Sequence, residues 1–290
     1  MPITSKQSQL AFQNTQRALM KLSAVQDGET VHSFRTTTLR LQTLLEELIP
    51  EQDRKPKKLL KMLEEIRQRA GKVRDLDVQL DALRSLKVPQ EPRRKTQLMH
   101  GLIELRMKHE NKLRKILNKK KKRSVQDRLK RASKNLKLEG GRDPLTVART
   151  MLARIVHPSG PITEALLHRY RIAIKRARYA AEFAPKSAEA GQFLAQMKTL
   201  QDAVGNWHDW LTLTKTAGKK IGDADHSPLV AALLRVTGGK FRHAVAALSA
   251  SPAVQAGTKA ALKPVAISTT PSRKPRSKSA TLVASAQPAA

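Results

Sequence analysis

The sequence predicts an all-α fold: two pseudo-symmetric four-helix bundles that meet at a basic central groove, followed by a disordered basic tail. Three observations carry this reading. Apolar residues recur at helical spacing between start and stop signals, and no stretch alternates with the period of a strand. The hydrophobic fraction is 40% with only 3% aromatics, so the core rests on Leu, Ala, Ile, Val and Met, which suits packed helices better than a β-sandwich. A pair of motifs also recurs in the same order in the two halves of the 290-residue chain.

The elements follow in order. Residues 5–25 carry Leu10, Leu19, Leu22 and Val25 as a first helix. Thr30 suits the N-cap of a second, running to about Leu48 and stopped by Pro50. A third starts near Lys57 and leads into GKVRDLDVQLDALRSL, where Gly71 lies inside or between helices. Pro89 and Pro92 punctuate, and a long basic helix is expected from about Arg93 to Lys122. Another fits about Val125 to Leu138 and ends at Gly140-Gly141. Asp143-Pro144 combines an N-cap with proline at the first helical position. HPSGPIT (157–163) reads as a loop whose Thr163 caps the next helix, and Pro185 stops that helix. Two more helices fit 187–217 and 228–249. The first bundle spans about 5–139 and the second about 143–250, together one domain over 1–250. Residues 251–290 hold six Lys or Arg, five Pro and no acid, the composition of a disordered tail.

The formal charge is +32, from 56 Lys and Arg against 24 acids, and the tail accounts for only +6 of it. Such an excess repels itself and attracts polyanions. Candidate partners are nucleic acid, an anionic membrane surface or a phosphate polymer. The chain has no cysteine, which excludes disulfides, thiolate metal sites and cysteine nucleophiles. The N-terminus lacks the apolar run of a signal peptide, and no stretch of 18 apolar residues exists. A cytoplasmic protein without a membrane span is therefore expected.

In LLHRYRIAIKRARYAAEFAP (166–185), His168, Arg171, Lys175 and Arg178 are spaced to fall in one row on one helix face. Like charges at such spacings cost a helix roughly 0.2–0.5 kcal/mol per pair. The segment has a counterpart in VHSFRTTTLRLQTLLEEL (31–48). His32 aligns with His168, Arg35 with Arg171, Arg40 with Arg176 and Glu46 with Glu182, at an offset of 136. Downstream, GKVRDLDV (71–78) aligns with GNWHDWLT (205–212), Gly71 on Gly205 and Asp75 on Asp209, at an offset of 134. Two motifs in the same order at nearly the same separation indicate a duplication joined near 139–143.

These residues, H-x-x-R with a following basic pair, RDLDV, LHRYRIAIKRARYAAE and LQDAVGNWHDW, resemble the CHAD family, the histidine-containing α-helical domain, over roughly residues 5–250. The resemblance implies two four-helix bundles whose basic central surface binds inorganic polyphosphate, and association with polyphosphate granules. The E-x-E-x-K motif of the triphosphate tunnel domain often fused to the family does not occur, so a stand-alone copy is expected. Carried over, the site comprises His32, Arg35 and Arg40, Arg74 of the RD motif, and His168, Arg171, Lys175, Arg176 and Arg178. The first half departs from the pattern: Leu39 stands where Lys175 is expected, Gln42 where Arg178 is, and His208 takes the place of Arg74. Arg17, Lys21, Arg67 and Lys72 are candidates to supplement the weaker half.

Arginine pairs two phosphate oxygens through its planar fork, and lysine offers a mobile point charge. Residues three and four apart on a helix lie about 5–6 Å from one another, so a cationic row makes a ladder for a flexible polyanion. Asp75 and Asp209 are expected to orient neighbouring cations or hold helices rather than bind a metal. Residues 101–140 hold 15 Lys or Arg against four acids, either a solvated basic helix pair or an extension of the polyanion surface. No P-loop, H-E-x-x-H or nucleophile elbow occurs, so no catalytic residue, cofactor or metal is expected. The alternative reading is non-specific nucleic-acid binding through the phosphate backbone. Scarce aromatics and the absence of zinc-finger or RNP-type motifs argue against base readout.

Overall fold

The computed structural model describes residues 3–50, 56–155, 160–221 and 226–254. Among them the regular structure is nine α-helices and one π-helical turn: α1 (Ser5–Ala24), α2 (Gly28–Thr43) continuing into the π-helical turn Leu44–Leu48, α3 (Lys57–Ser85), α4 (Pro92–Ile116), α5 (Lys119–Lys134), α6 (Pro144–Ala153), α7 (Glu164–Ala181), α8 (Ala188–Lys220) and α9 (Pro228–Ser249). The first half thus contributes five α-helices and the second four. Most of the expected tail, and part of the 157–163 loop, lie outside the described residues.

Side-chain caps set where helices begin, because the first backbone N–H groups have no partner within the helix. Asp143 accepts from the Thr146 N–H (2.8 Å) and Thr163 from the Leu166 N–H (3.2 Å), both at the expected starts. Two expectations are corrected. The cap of α2 is Asp27, whose carboxylate accepts from the Thr30 N–H (2.7 Å), while the Thr30 hydroxyl donates back to the Val25 carbonyl (2.7 Å). The long basic helix ends at Ile116, not Lys122, because Asn118 accepts from the Lys121 N–H (2.8 Å) and starts a new helix inside the lysine run. Similarly, α7 ends at Ala181, ahead of Pro185.

Gly71 lies inside the unbroken α3. A Cβ there would stand 3.7 Å from the Arg35 guanidinium, ordinary van der Waals contact, so Arg35 lies directly against this face of the helix. At the joint, Gly140 turns the chain at φ 73°, open to glycine at no steric cost. The Arg142 N–H then donates to the Leu48 carbonyl (2.9 Å), tying the joint to the end of the π-helical turn.

Helices α1, α2, α3 and α4 pack in sequence, with α5 against α1 and α3; α6, α7, α8 and α9 pack in sequence in the second half. Between the halves, α2 meets α7 and α3 meets α8, so each motif-bearing helix meets its own counterpart. The apolar core is not divided at the joint. Its main cluster includes Phe34 and Leu41 from one half and Tyr170, Ile174 and Trp207 from the other, and extends past the expected boundary at 250 to the buried Val254. A smaller cluster joins Leu83 and Leu102 to Leu213 and Leu233. Glu91 of the first half also accepts from the Ser227 hydroxyl (2.6 Å) and the Leu229 N–H (2.8 Å), so its carboxylate caps the start of α9.

Leu41 is 0% exposed in the shared core, whereas Leu10 is 48% exposed. Leu41→Ala should lower unfolding free energy by about 2–5 kcal/mol. Leu10→Ala should stay within about 0.5 kcal/mol of the parent. Urea titration followed by circular dichroism measures both.

Candidate functional site

The cationic row of α7 faces the seam where α2, α3, α7 and α8 come together. His168 lies beside His208 of α8, ring centroids 5.5 Å apart. Arg171 is half-buried, and its Nε is enclosed without an acceptor among the described residues. Burial pushes its guanidinium down, opposed by Asp209 and Asp75. Lys175 is held at about 8, down from 10.5, by burial and then by Arg171 and Arg35. His208 is held at about 4 by burial and then by Arg171 and His168, so it is neutral near pH 7. Its Nδ1 is likewise buried without a partner among the described residues.

The counterpart on α2 and α3 closes the same space. Arg35 donates from Nη1 to Asp75 Oδ1 (3.1 Å) and to the Gly71 carbonyl (3.3 Å). Asp75 therefore orients an arginine, as the sequence suggested. Burial, and then Arg74, lower the pKa of His32, with Arg35 and Lys175 adding to the effect. Burial raises that of Asp209 against the pull of Arg171 and Lys175. Seven expected residues, His32, Arg35, Arg74, His168, Arg171, Lys175 and Arg178, line or border this one seam.

Arg40 and Arg176 carry ion pairs between the halves, and Arg40 also lines a cleft with His32 and Arg178. Arg40 pairs with Glu182 and Arg176 with Glu47, each arginine reaching a carboxylate of the opposite half. Arg40 also lies 5.8 Å from the centre of the Tyr179 ring. The π-helical turn carries more residues per turn than an α-helix, and Glu47, not the aligned Glu46, reaches Arg176. Glu182 additionally pairs with Arg178 (3.4 Å). In the first half these two duties are split, Glu47 holding Arg176 while Glu46 accepts from Gln42 (2.9 Å).

Two further contacts were not read from the sequence. Arg67 of α3 donates from Nη1 to Gln42 Oε1 on α2 (2.7 Å), and Arg178 of α7 donates from Nη1 to Gln201 Oε1 on α8 (3.3 Å). The repeat offsets map Gln42 onto Arg178 and Arg67 onto Gln201, so the alignment contained the signal. A cleft of about 270 Å³ opens beside Arg178 and Gln201 and is edged by Ser33, Thr36 and Thr37 of α2, a hydroxyl row the motif comparison passed over. The basic run 108–137 lies elsewhere: Val125 and Leu129 of α5 are buried, α5 packs on α1 and α3, and Lys121 pairs with Glu65. No helix among the described residues is long and apolar enough to cross a membrane, and none of their His, Asp and Glu side chains form a group of three or more suited to a metal.

Because folding lowers the Lys175 pKa, the unfolded chain binds more protons between about pH 8 and 10.5, and stability rises with pH across that window. Lys175→Met removes a partly desolvated charge. The variant should melt higher than the parent at pH 7, each kcal/mol gained showing as about 2–4 °C. The gap should shrink as pH rises from about 8 towards 10.5. Thermal unfolding of both proteins across that range measures it.

Comparison with known proteins agrees with the helical fold. The crystal structure of the CHAD domain from the plant Ricinus communis matches at a TM-score of 0.58 and 18% sequence identity, over 86% of this chain and 88% of that chain, a likeness of fold. No curated protein matches the chain. The CHAD domain family model matches residues 8–218, which contain all four motif segments and both sides of the seam. The chain therefore belongs to the CHAD domain family.

Proposed function

We propose that this protein binds inorganic polyphosphate along the seam, as a binding protein rather than a catalyst. The family is linked to polyphosphate binding in general. The observation that carries the reading for this chain is Arg171: a cationic donor, buried at Nε without an acceptor among the described residues, beside Lys175, Arg35 and Arg74. Polyphosphate has no bases to read and presents a negative charge at every repeating unit, so recognition must come from charge and donors. Arg35, Arg74, Arg171 and Lys175 supply them at the centre, His32 and His168 flank, and Arg178 extends the row towards the 270 Å³ cleft. Arg40 lines that cleft as well, and Arg40 and Arg176 both tie the halves through ion pairs.

Low local dielectric raises the value of each contact. Cations that repel one another in the free protein gain a shared partner when phosphate arrives. Granule association follows as the cellular consequence. Non-specific nucleic-acid binding is the alternative, and the exposed lysines of α5 favour it as a second, separate use of charge.

Competition decides between the two. Labelled long-chain polyphosphate bound at physiological salt should resist duplex DNA added at equal phosphate concentration. Displacement would mean that the charge is generic. Arg171→Ala should weaken polyphosphate binding about 10–100-fold, the range for hydrogen bonds to charged groups. Lys130→Ala on α5 should leave it within about twofold.

Binding should also depend on pH at both ends. Bound phosphate favours the protonated forms of Lys175 and His32. Affinity should therefore fall as pH rises through about 8, where free Lys175 loses its proton. It should rise as pH falls below the ordinary histidine value of 6.5, where His32 takes one up. Filter binding across pH measures both limbs. Lys175→Met should flatten the alkaline limb, and His32→Ala the acid one.

A further inference from the structure

The two halves differ at one place in a way that conserves charge. On the H-x-x-R helices, Gln42 stands where Arg178 stands. On the long helices that follow, Arg67 stands where Gln201 stands. In each half the glutamine oxygen accepts from the arginine of the neighbouring helix, α3 to α2 in one and α7 to α8 in the other. The pair is the same and its direction is reversed. The acids beside it match as well, with Gln42 bonded to Glu46 and Arg178 paired with Glu182, each four residues on. Gln42 therefore marks a cation relocated to α3.

We infer that Arg67 is a polyphosphate-binding residue, the first half's equivalent of Arg178, held towards the seam by Gln42. The inference rests on the polyphosphate reading of the seam. Arg67 is half-buried and lies within electrostatic reach of Arg35 on α2 and of Tyr179 on α7, so it borders the cluster instead of pointing to bulk water. Burial pushes its guanidinium down, and the nearby Glu64 and Glu46 oppose that shift. A half-buried arginine hydrogen-bonded to a neutral amide keeps its charge and several N–H groups for a phosphate oxygen.

The test is an exchange. Affinity for long-chain inorganic polyphosphate is measured against salt for the parent, Arg67→Gln, Arg178→Gln and the double variant Gln42→Arg with Arg67→Gln. Removing one phosphate contact lowers the magnitude of the salt slope by about one. Arg67→Gln should show that loss, with affinity reduced several-fold, to about the degree of Arg178→Gln. The double variant carries on α2 the arrangement that α7 has naturally, and should recover most of both quantities. An Arg67→Gln affinity within twofold of the parent would overturn the inference, as would a double variant as weak as the single one. Should Arg67→Gln fail to fold, phenylglyoxal modification of the parent decides. Polyphosphate should slow the reaction at Arg67 as it does at Arg178, and equal rates with and without it would overturn the assignment. A parent that binds no polyphosphate would instead overturn the function reading itself.

Discussion

The structure depends on bringing four cation-bearing helices into contact without letting their charges push them apart. α2 and α7 each present an H-x-x-R row, and α3 and α8 face them with Arg74, Asp75, His208 and Asp209. Repulsion across such a seam is strong where water is excluded. It is opposed in two ways. Asp75 and Asp209 place carboxylates among the cations, the first bonded to Arg35 and the second in the field of Arg171 and Lys175. Outside the cluster, Arg40–Glu182 and Arg176–Glu47 cross between the halves in opposite directions. Beneath both runs an apolar core built from each half, so separating the halves would expose Phe34 and Tyr170 as well as break the ion pairs.

This arrangement explains why the site sits on helices and not on loops. A cluster of like charges relaxes if its scaffold is soft, because each side chain can swing into solvent. Here the backbone of each contributing element is tied by its own ladder, and three of the four helices, α2, α7 and α8, also carry a side-chain cap at the start. Thr163 fixes where α7 begins, Asp27 where α2 begins and Ser187 where α8 begins. Arg35 lies against α3 at Gly71, whose carbonyl accepts from the guanidinium. The site remains cationic because the fold keeps its charges from spreading.

Much of this was legible in the sequence, and the exceptions share a cause. Asp143, Thr163 and the H-x-x-R row were readable because caps and periodicity are local, set within one turn by the residues themselves. Thr30 and Asp27 are both good caps a few residues apart, and only the backbone path decides between them. Asn118 was hidden because Ile116 and Leu117 before it and the lysine run 119–122 after it both suit a continuing helix. The larger misses were pairings across space. Arg40 and Arg176 look like the other cations of their row until Glu182 and Glu47 are seen opposite them. Gln42 looks like a defect until Arg67 is seen beneath it. The repeat offsets held the second answer, because they apply to partners as well as to the motif itself.

The same distinction separates the two basic regions of the molecule. α5 and the end of α4 carry the densest run of charge, yet Lys119, Lys120, Arg123, Lys130, Arg131 and Lys134 are exposed. Their field is screened within about 8 Å at physiological salt. Such a surface attracts any polyanion and distinguishes little among them. The seam has fewer cations, but they are held in fixed positions and partly stripped of water, and burial with its cationic neighbours holds Lys175 at about 8. On the polyphosphate reading proposed above, a chain charged at every repeating unit would meet cations of both α2 and α7 at once. On that proposal, fixed position and lost hydration, rather than net charge, would let the seam favour a phosphate chain over a duplex.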